Sequence, residues 1–175
     1  MRRLTISLLF ITLAGCAASP PPAPLPTVAS VDLARYAGRW YEIALLPNSF
    51  QSQCVSDTQA NYRADGDRIE VRNRCQRADG SVEEALGHAK PVPGSGNAKL
   101  RVSFFWPFFG DYQVLSLDAG YQAVLVGEPS RRYAWVLSRT PQLEEPRLQA
   151  LLDEAARLGF DRQAFQRTPQ RRAAD

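Results

Sequence analysis

The side chains of this chain that could do chemistry are few and scattered. His88 is its only histidine, so a histidine-based metal site or triad would need aspartate and glutamate for most of its groups. The pair Glu83-Glu84 fits the solvated face of a strand. The stretch GSGN at 94–97 follows a proline as a turn and lacks the spacing of a phosphate-binding loop. The sequence therefore predicts no catalytic residues, no metal site and no cofactor.

The three cysteines separate into one N-terminal residue, Cys16, and two in the body of the chain, Cys54 and Cys75. In an oxidising compartment the even remainder of two suggests one disulfide. The midpoint of Cys54 and Cys75 falls in an Ala-Asp-Gly turn at 64–66. If that turn closes a hairpin, the two residues lie opposite each other or within one diagonal step, near bridging distance. The alternative is a pair of unpaired buried thiols.

The N-terminus has the features of an export signal. Arg2-Arg3 precede an apolar run at 4–13 that is too short to span a bilayer as a mature helix. The run ends in Leu-Ala-Gly-Cys16, which resembles the lipobox of bacterial lipoproteins. That resemblance implies a lipid on Cys16, and Ala17 favours the outer membrane, facing the periplasm. The alternative is an ordinary signal peptide with a chance cysteine.

We therefore expect three segments: a lipoprotein signal peptide at 1–15, a lipidated cysteine with a proline-rich tether at 16–30, and one domain at 31–175. Five prolines between Pro20 and Pro26 favour extended polyproline geometry. Fourteen such residues reach roughly 40 Å, enough to hold a domain away from a membrane.

Charge argues against nucleic acid as a partner. Loss of the two signal-peptide arginines leaves 19 basic residues of the original 21 against 18 acidic ones. A mature chain this close to neutral lacks the basic excess of nucleic-acid-binding domains. We expect the C-terminal arginines, Arg167, Arg171 and Arg172, to form a solvated tail.

The elements that would position any site are short β-strands followed by one helix. Eight runs of alternating or β-rich residues are separated by turn signals. They span 39–46, 55–63, 68–75, 82–89, 99–105, 112–117, 121–127 and 133–139. The stretch EPRLQALLDEAARLGF at 145–160 then has the apolar period of a helix that stops at Gly159. This order predicts an all-β fold: an eight-stranded antiparallel up-and-down barrel, able to hold one small ligand, with the helix packed outside.

Three local motifs resemble those of the lipocalins. Gly38-Arg39-Trp40 opens the first strand as a G-x-W motif, and Arg139 follows the last strand as the family's arginine does. The turn ending in Tyr121 matches the family's T-D-Y motif only loosely, since its threonine is absent. RWYEIA, KLRVSFFWPFFGDY and LSRTP together are most similar to bacterial outer-membrane lipocalins and their apolipoprotein-D-like relatives. The likeness covers residues 32 to 168.

Strand parity predicts which end of the barrel is open. With Trp40 plugging the closed end under Arg139, the first, third, fifth and seventh connections lie at the mouth. The fifth connection is WPFFG at 106–110, so its rings belong to the rim. They either fold down as core or form an apolar gate that contacts an acyl chain or a membrane.

Alternation along the strands then predicts the cavity wall, because Arg139 must face inward to reach Trp40. The expected ligand-binding residues are Tyr62, Ile69, Val71, Leu100, Val102, Phe104, Trp106, Phe109, Tyr112, Val114, Tyr133, Trp135 and Leu137.

This wall is apolar with a few hydroxyls and suits a fatty chain with a polar head near the mouth. The sequence thus predicts a lipid-anchored periplasmic lipocalin that binds, stores or transports fatty acids or lysophospholipids. It has no catalytic role on this interpretation, and its aromatic rim could also serve as a homodimer contact. The alternatives are a lipid- or isoprenoid-modifying enzyme on the same barrel and an envelope scaffold whose barrel is filled by side chains.

Overall fold

A computed structural model describes residues 23–171 of the chain. The lipobox and Cys16 lie outside this range. The strands are β1 (Gly38–Leu45), β2 (Cys54–Asp65), β3 (Arg68–Arg77), β4 (Val82–Pro91), β5 (Lys99–Phe105), β6 (Phe108–Leu117), β7 (Ala123–Gly127), β8 (Ala134–Ser138) and β9 (Gln166–Arg167). The α-helices are α1 (Leu33–Tyr36) and α2 (Glu145–Arg157).

The sheet closes on itself as expected. Each strand from β2 to β7 pairs with the next strand in sequence, and β1 pairs antiparallel with both β8 and β2. The predicted eight-stranded up-and-down barrel is therefore confirmed. The β1–β2 pairing covers only residues 38–41 and 59–62. Beyond it, β9 takes the free edge of β1 opposite Ala44 and Leu45.

Two apolar layers form on the two sides of this wall. The outer layer joins α2 to β1, β7 and β8 through Ile43, Leu125, Val136, Leu148 and Leu152. The helix turns the predicted apolar face toward the barrel and ends just before Gly159, whose φ of +88° suits a glycine stop. The inner layer fills the lower barrel around Trp40. Neither helix of residues 23–171 is both long and apolar enough to cross a membrane.

The closed end is built around Trp40, which is fully buried. Its indole N–H donates to the Tyr36 carbonyl at 2.8 Å, and the Arg139 guanidinium carbon lies 4.0 Å from the centre of its ring. Arg139 also donates to the carbonyl oxygens of Arg35 (2.6 Å) and Arg39 (2.8 Å). One guanidinium thus stacks on the plug and ties α1 to β1, as the motif resemblance implied.

The other two motif positions also meet Arg139. Gly38 has a φ of +93°, and a side-chain Cβ there would lie 3.3 Å from an Arg139 nitrogen. The Tyr121 carbonyl accepts from Arg139 Nε at 3.3 Å, and the Tyr121 ring lies under Arg35 at 4.0 Å. The sixth connection therefore lies at the closed end, as strand parity predicted.

Cys54 and Cys75 form the predicted disulfide, with Cα atoms 5.5 Å apart. Cys54 pairs in register with Arg77 rather than with Cys75, because β2 carries irregularities between residues 54 and 59. The bridge therefore spans one diagonal step at the mouth end of β2 and β3.

Two end segments pack on the barrel where the sequence predicted solvated chain. Leu25, assigned to the tether, is buried in the outer layer, and Val28 N–H donates to the Val114 carbonyl at 3.0 Å. At the other end, Thr168 N–H donates to Ile43 and Asp57 N–H donates to the Pro169 carbonyl. Free backbone at the β1–β2 gap supplies partners for the C-terminal segment, which explains that difference. Arg172 lies outside the described residues.

We expect Trp40→Ala to lower the free energy of unfolding by about 3–5 kcal/mol, the usual cost of deleting a buried tryptophan. Trp106→Ala is the matched control, because Trp106 is 80% exposed and its loss should change stability by no more than about 0.5 kcal/mol. Urea denaturation of both variants measures the difference. Equal midpoints for Trp40→Ala and the parent chain would contradict the role given to the plug.

Candidate functional site

Most of the residues predicted to line the cavity lie on the inner face of the barrel. Among residues 23–171, the inner apolar layer contains ten of the thirteen predicted positions: Tyr62, Ile69, Val71, Leu100, Val102, Phe104, Tyr112, Val114, Trp135 and Leu137. These ten side chains share the inner layer with Trp40, as period-two alternation along the strands predicted, and their part in ligand binding stays a prediction.

Several of these inward side chains are only half-buried. Val102, Phe104, Tyr112 and Trp135 all keep part of their surface exposed although they face the barrel axis. Surface on the inner side of a closed barrel can only border the space within the barrel or its mouth. The upper part of the barrel is therefore an open cup.

Three tyrosines form the floor of that cup. The hydroxyls of Tyr36 and Tyr112 share a hydrogen bond of 2.6 Å, and Tyr62 donates to Tyr112 at 3.1 Å. The Tyr36 ring also lies 5.0 Å from the Trp40 ring. Burial raises the pKa of Tyr62 to about 12 and raises the pKa values of Tyr36 and Tyr112 as well. The hydroxyls consequently stay neutral and act as hydrogen-bonding groups only.

A buried polar chain crosses the wall near the mouth. Gln51 donates to Glu42 at 2.9 Å and accepts from the Trp135 indole at 3.0 Å. Thr168 donates to the other oxygen of Glu42. Burial raises the pKa of the Glu42 carboxyl, although both hydrogen bonds oppose the rise. No ion pair among residues 23–171 includes Glu42, so its carboxyl has only neutral hydrogen-bond partners within that range.

Sequence reasoning missed this polar chain. One signal was present: Glu42 stands two residues after Trp40 on the same strand, so alternation turns it inward. Nothing in the sequence indicated its partners, because Gln51 and Thr168 reach it from the first connection and the C-terminal segment.

Three rings stand together at the mouth. Phe50 lies 5.1 Å from Tyr133 and 6.2 Å from Trp135 between ring centres, and Tyr133 stacks on Trp135 at 6.5 Å. Tyr133, a predicted wall residue, therefore belongs to the mouth rather than to the inner layer. The first and seventh connections meet here, as strand parity predicted.

Two predicted wall residues, Trp106 and Phe109, lie outside the inner layer. The strand β6 begins at Phe108, not at Tyr112, so a two-residue turn carries the β5–β6 hairpin past the barrel rim. Trp106 is 80% exposed, and Phe109 packs edge-on against His88 at 6.1 Å on the outer face. The prediction that Trp106 and Phe109 line the cavity is therefore wrong, because the hairpin is longer than the sequence suggested.

The tip of that hairpin is apolar and exposed. Phe105, Trp106 and Phe108 each expose at least 75% of their surface. We call these three residues the rim cluster. They do not fold down into the barrel as core, which was one of the two arrangements that the sequence allowed.

Within residues 23–171, no group of three His, Cys, Asp or Glu side chains is arranged to bind a metal ion. His88 faces Phe109 on the outer wall, away from the cup.

Comparison with known proteins shows where this architecture recurs. A family model described as a lipocalin-like domain matches residues 31–170. Temperature-induced lipocalin-1 of Arabidopsis thaliana is 41% identical over 155 residues, which cover 83% of each chain. The outer membrane lipoprotein Blc of Vibrio cholerae is 38% identical over 164 residues, covering 92% of this chain and 94% of the relative. Insecticyanin from the tobacco hornworm Manduca sexta has the same fold, with a TM-score of 0.67, 23% identity and coverage of 85% and 84%.

We expect Glu42→Gln to stabilise the protein at neutral pH more than at acid pH. Because burial raises the pKa of Glu42 in the folded state, its stability contribution is full below the unfolded pKa and falls as pH rises through the folded pKa. The glutamine amide does not ionise, so the variant does not lose this stability as the pH rises. Denaturant midpoints at about pH 4 and about pH 7 measure the difference.

Glu83→Gln is the control, since Glu83 is partly exposed and is paired with Arg77. A stability gain for Glu42→Gln that is larger at acid pH, or absent at both, would contradict the environment described for Glu42.

Proposed function

The chain belongs to the lipocalin family, and we propose that it binds amphipathic lipids, such as fatty acids or lysophospholipids, in its barrel cup. The observation that supports this most directly is the set of inward side chains that remain half-buried. Val102, Phe104 and Trp135 offer apolar surface to the inside of the barrel. Such surface gains free energy when an acyl chain covers it.

The affinity that this surface can provide is substantial. Each buried methylene contributes about 0.8 kcal/mol, so about ten of them equal the roughly 8 kcal/mol of a micromolar complex. Association and ordering costs reduce that figure, which favours long acyl chains over short ones. The polar head of the ligand would then lie near the rings of Phe50, Tyr133 and Trp135 at the mouth.

We further propose that the protein is held at the outer membrane, facing the periplasm, by a lipid on Cys16. The lipobox sequence supports this anchor. The Vibrio cholerae relative, which is named an outer membrane lipoprotein, supports the same location. The rim cluster would meet the membrane surface when ligands enter or leave, because exposed aromatic groups of this size favour apolar contact.

One observation favours a second candidate, an envelope scaffold with a filled barrel. The Tyr36, Tyr62 and Tyr112 hydroxyls meet across the interior and occupy its lower part. A scaffold would take up no acyl chain, whereas a lipid carrier would. Turnover of a bound lipid would instead identify the enzyme alternative.

Val102→Trp should fill the cup and weaken the binding of a fluorescent fatty acid by at least about tenfold, since the added indole occupies acyl-chain space. Val82→Trp is the matched control: the same change at a 44% exposed valine of β4 should leave affinity unchanged. Probe titration and thermal melts of both variants give the result. If the parent chain binds no probe, the filled scaffold is correct. If Val102→Trp binds like the parent while remaining folded, the cup is not the site.

Replacing the rim cluster by serine, as Phe105→Ser with Trp106→Ser and Phe108→Ser, should leave the melting temperature nearly unchanged, because these rings are exposed. Transfer of bound fatty acid to phospholipid vesicles should slow several-fold. Transfer rates and sedimentation of both proteins separate the outcomes. An unchanged rate would contradict the membrane contact, and a dimer that dissociates in the triple variant would assign the cluster to a second copy of the chain.

A further inference from the structure

A concave basic groove lies on the outer face of β1, β2 and β3, opposite the cup. Its volume is about 280 Å³. Its lining consists of Arg39 from β1, Gln59, Asn61 and Arg63 from β2, and Glu70, Arg72 and Arg74 from β3. The proposed lipid function uses none of these side chains.

The register of the three strands explains the shape of the groove. Asn61 pairs with Arg39 on one side and with Arg72 on the other, and Gln59 pairs with Arg74. Side chains in such cross-strand rows stand next to one another on the same face. The short amides of β2 therefore form a floor between longer arginines on both neighbouring strands. Because this arrangement rests on paired strands and not on loops, its geometry is fixed by the barrel wall.

Positive charge exceeds negative charge in this groove. Arg63 pairs with Glu70 at 2.7 Å, while Arg72 and Arg74 share the single carboxylate of Glu84 at 3.6 and 3.3 Å. The three guanidinium groups of Arg63, Arg72 and Arg74 thus face two carboxylates among residues 23–171. The mature chain as a whole is nearly neutral, so the surplus on this face is a local concentration of charge.

The groove is open to solvent. The side chains of Arg72 and Arg74 are 46% and 49% exposed. The outer apolar layer that α2 covers draws no residue from β2 or β3. Asn61 of the amide floor is itself exposed, so a ligand can reach it without displacing any element of residues 23–171.

We propose that this groove binds a phosphate group, carried as a phosphate monoester or diphosphate. Guanidinium groups bind phosphate oxygens in pairs with charge-assisted hydrogen bonds, and arginines on two sides can grip one anion. The amide nitrogens of Gln59 and Asn61 add neutral donors from below. The site is separate from the lipid cup, and it persists whether or not the cup takes up an acyl chain.

Inorganic pyrophosphate is the first probe, titrated into the purified chain at low salt. The side-chain amide NMR signals of Gln59 and Asn61 should shift with saturation, and calorimetry should give a dissociation constant. Arg72→Gln should weaken binding by roughly tenfold through loss of a charge-assisted contact. Arg77→Gln is the matched control, because Arg77 lies on the same strand, pairs with a glutamate and has the same 46% exposure, yet lies outside the groove. It should bind like the parent chain.

The source of the phosphate is tested with phosphatidylcholine vesicles with and without phosphatidic acid, using chain that carries Cys16→Ser and so has no acyl anchor. Binding that needs phosphatidic acid and is lost in Arg72→Gln assigns a lipid headgroup. Pyrophosphate binding without vesicle binding assigns a soluble phosphate compound. Unshifted Gln59 and Asn61 amides, or equal losses in Arg72→Gln and Arg77→Gln, would overturn the proposal.

Discussion

The double pairing of β1 is the constraint on which the rest of this barrel depends. An open sheet of eight strands has two edge strands with unpaired backbone groups. Both edges disappear only when the two edge strands pair with each other and close the barrel. Here β1, already paired with β8, pairs with β2 over a short stretch next to Trp40. Arg139 holds that junction by stacking on the indole and donating to carbonyl oxygens around it. Closure and the sealed lower end therefore arise from one cluster.

The brevity of the β1–β2 pairing has consequences at the mouth. Where β2 departs from β1, the C-terminal segment takes its place and brings Thr168 to Glu42. The first connection, freed from the wall, turns back so that Gln51 contacts both Glu42 and Trp135. The polar chain that borders the cup is thus a result of incomplete pairing. A buried carboxyl with only neutral hydrogen-bond partners costs stability at neutral pH, and these partners reduce that cost only in part.

The wall of the barrel separates two chemical environments. Its inner face carries apolar and aromatic side chains above a floor of tyrosine hydroxyls. The outer face of β1 to β3 carries arginines around a floor of amides. Period-two alternation produces both faces from the same strands, so one short stretch such as Ala60 to Arg63 contributes to the inside and the outside in turn. An apolar cup and an anion-binding groove can therefore coexist without competing for residues.

The sequence alone determined the barrel, its strand order, the disulfide and ten of the thirteen expected inward positions, because these follow from local alternation and from turns. It also determined the plug, since Trp40 and Arg139 lie in recognisable local motifs. Only the tertiary structure decided that β6 starts at Phe108 and places Trp106 outside the cup. The same holds for Leu25, which packs on the outer layer, and for Glu42, whose partners are Gln51 and Thr168. These features depend on contacts between distant segments and on how far each strand pair extends beyond the rim, and neither leaves a periodic signal in the chain.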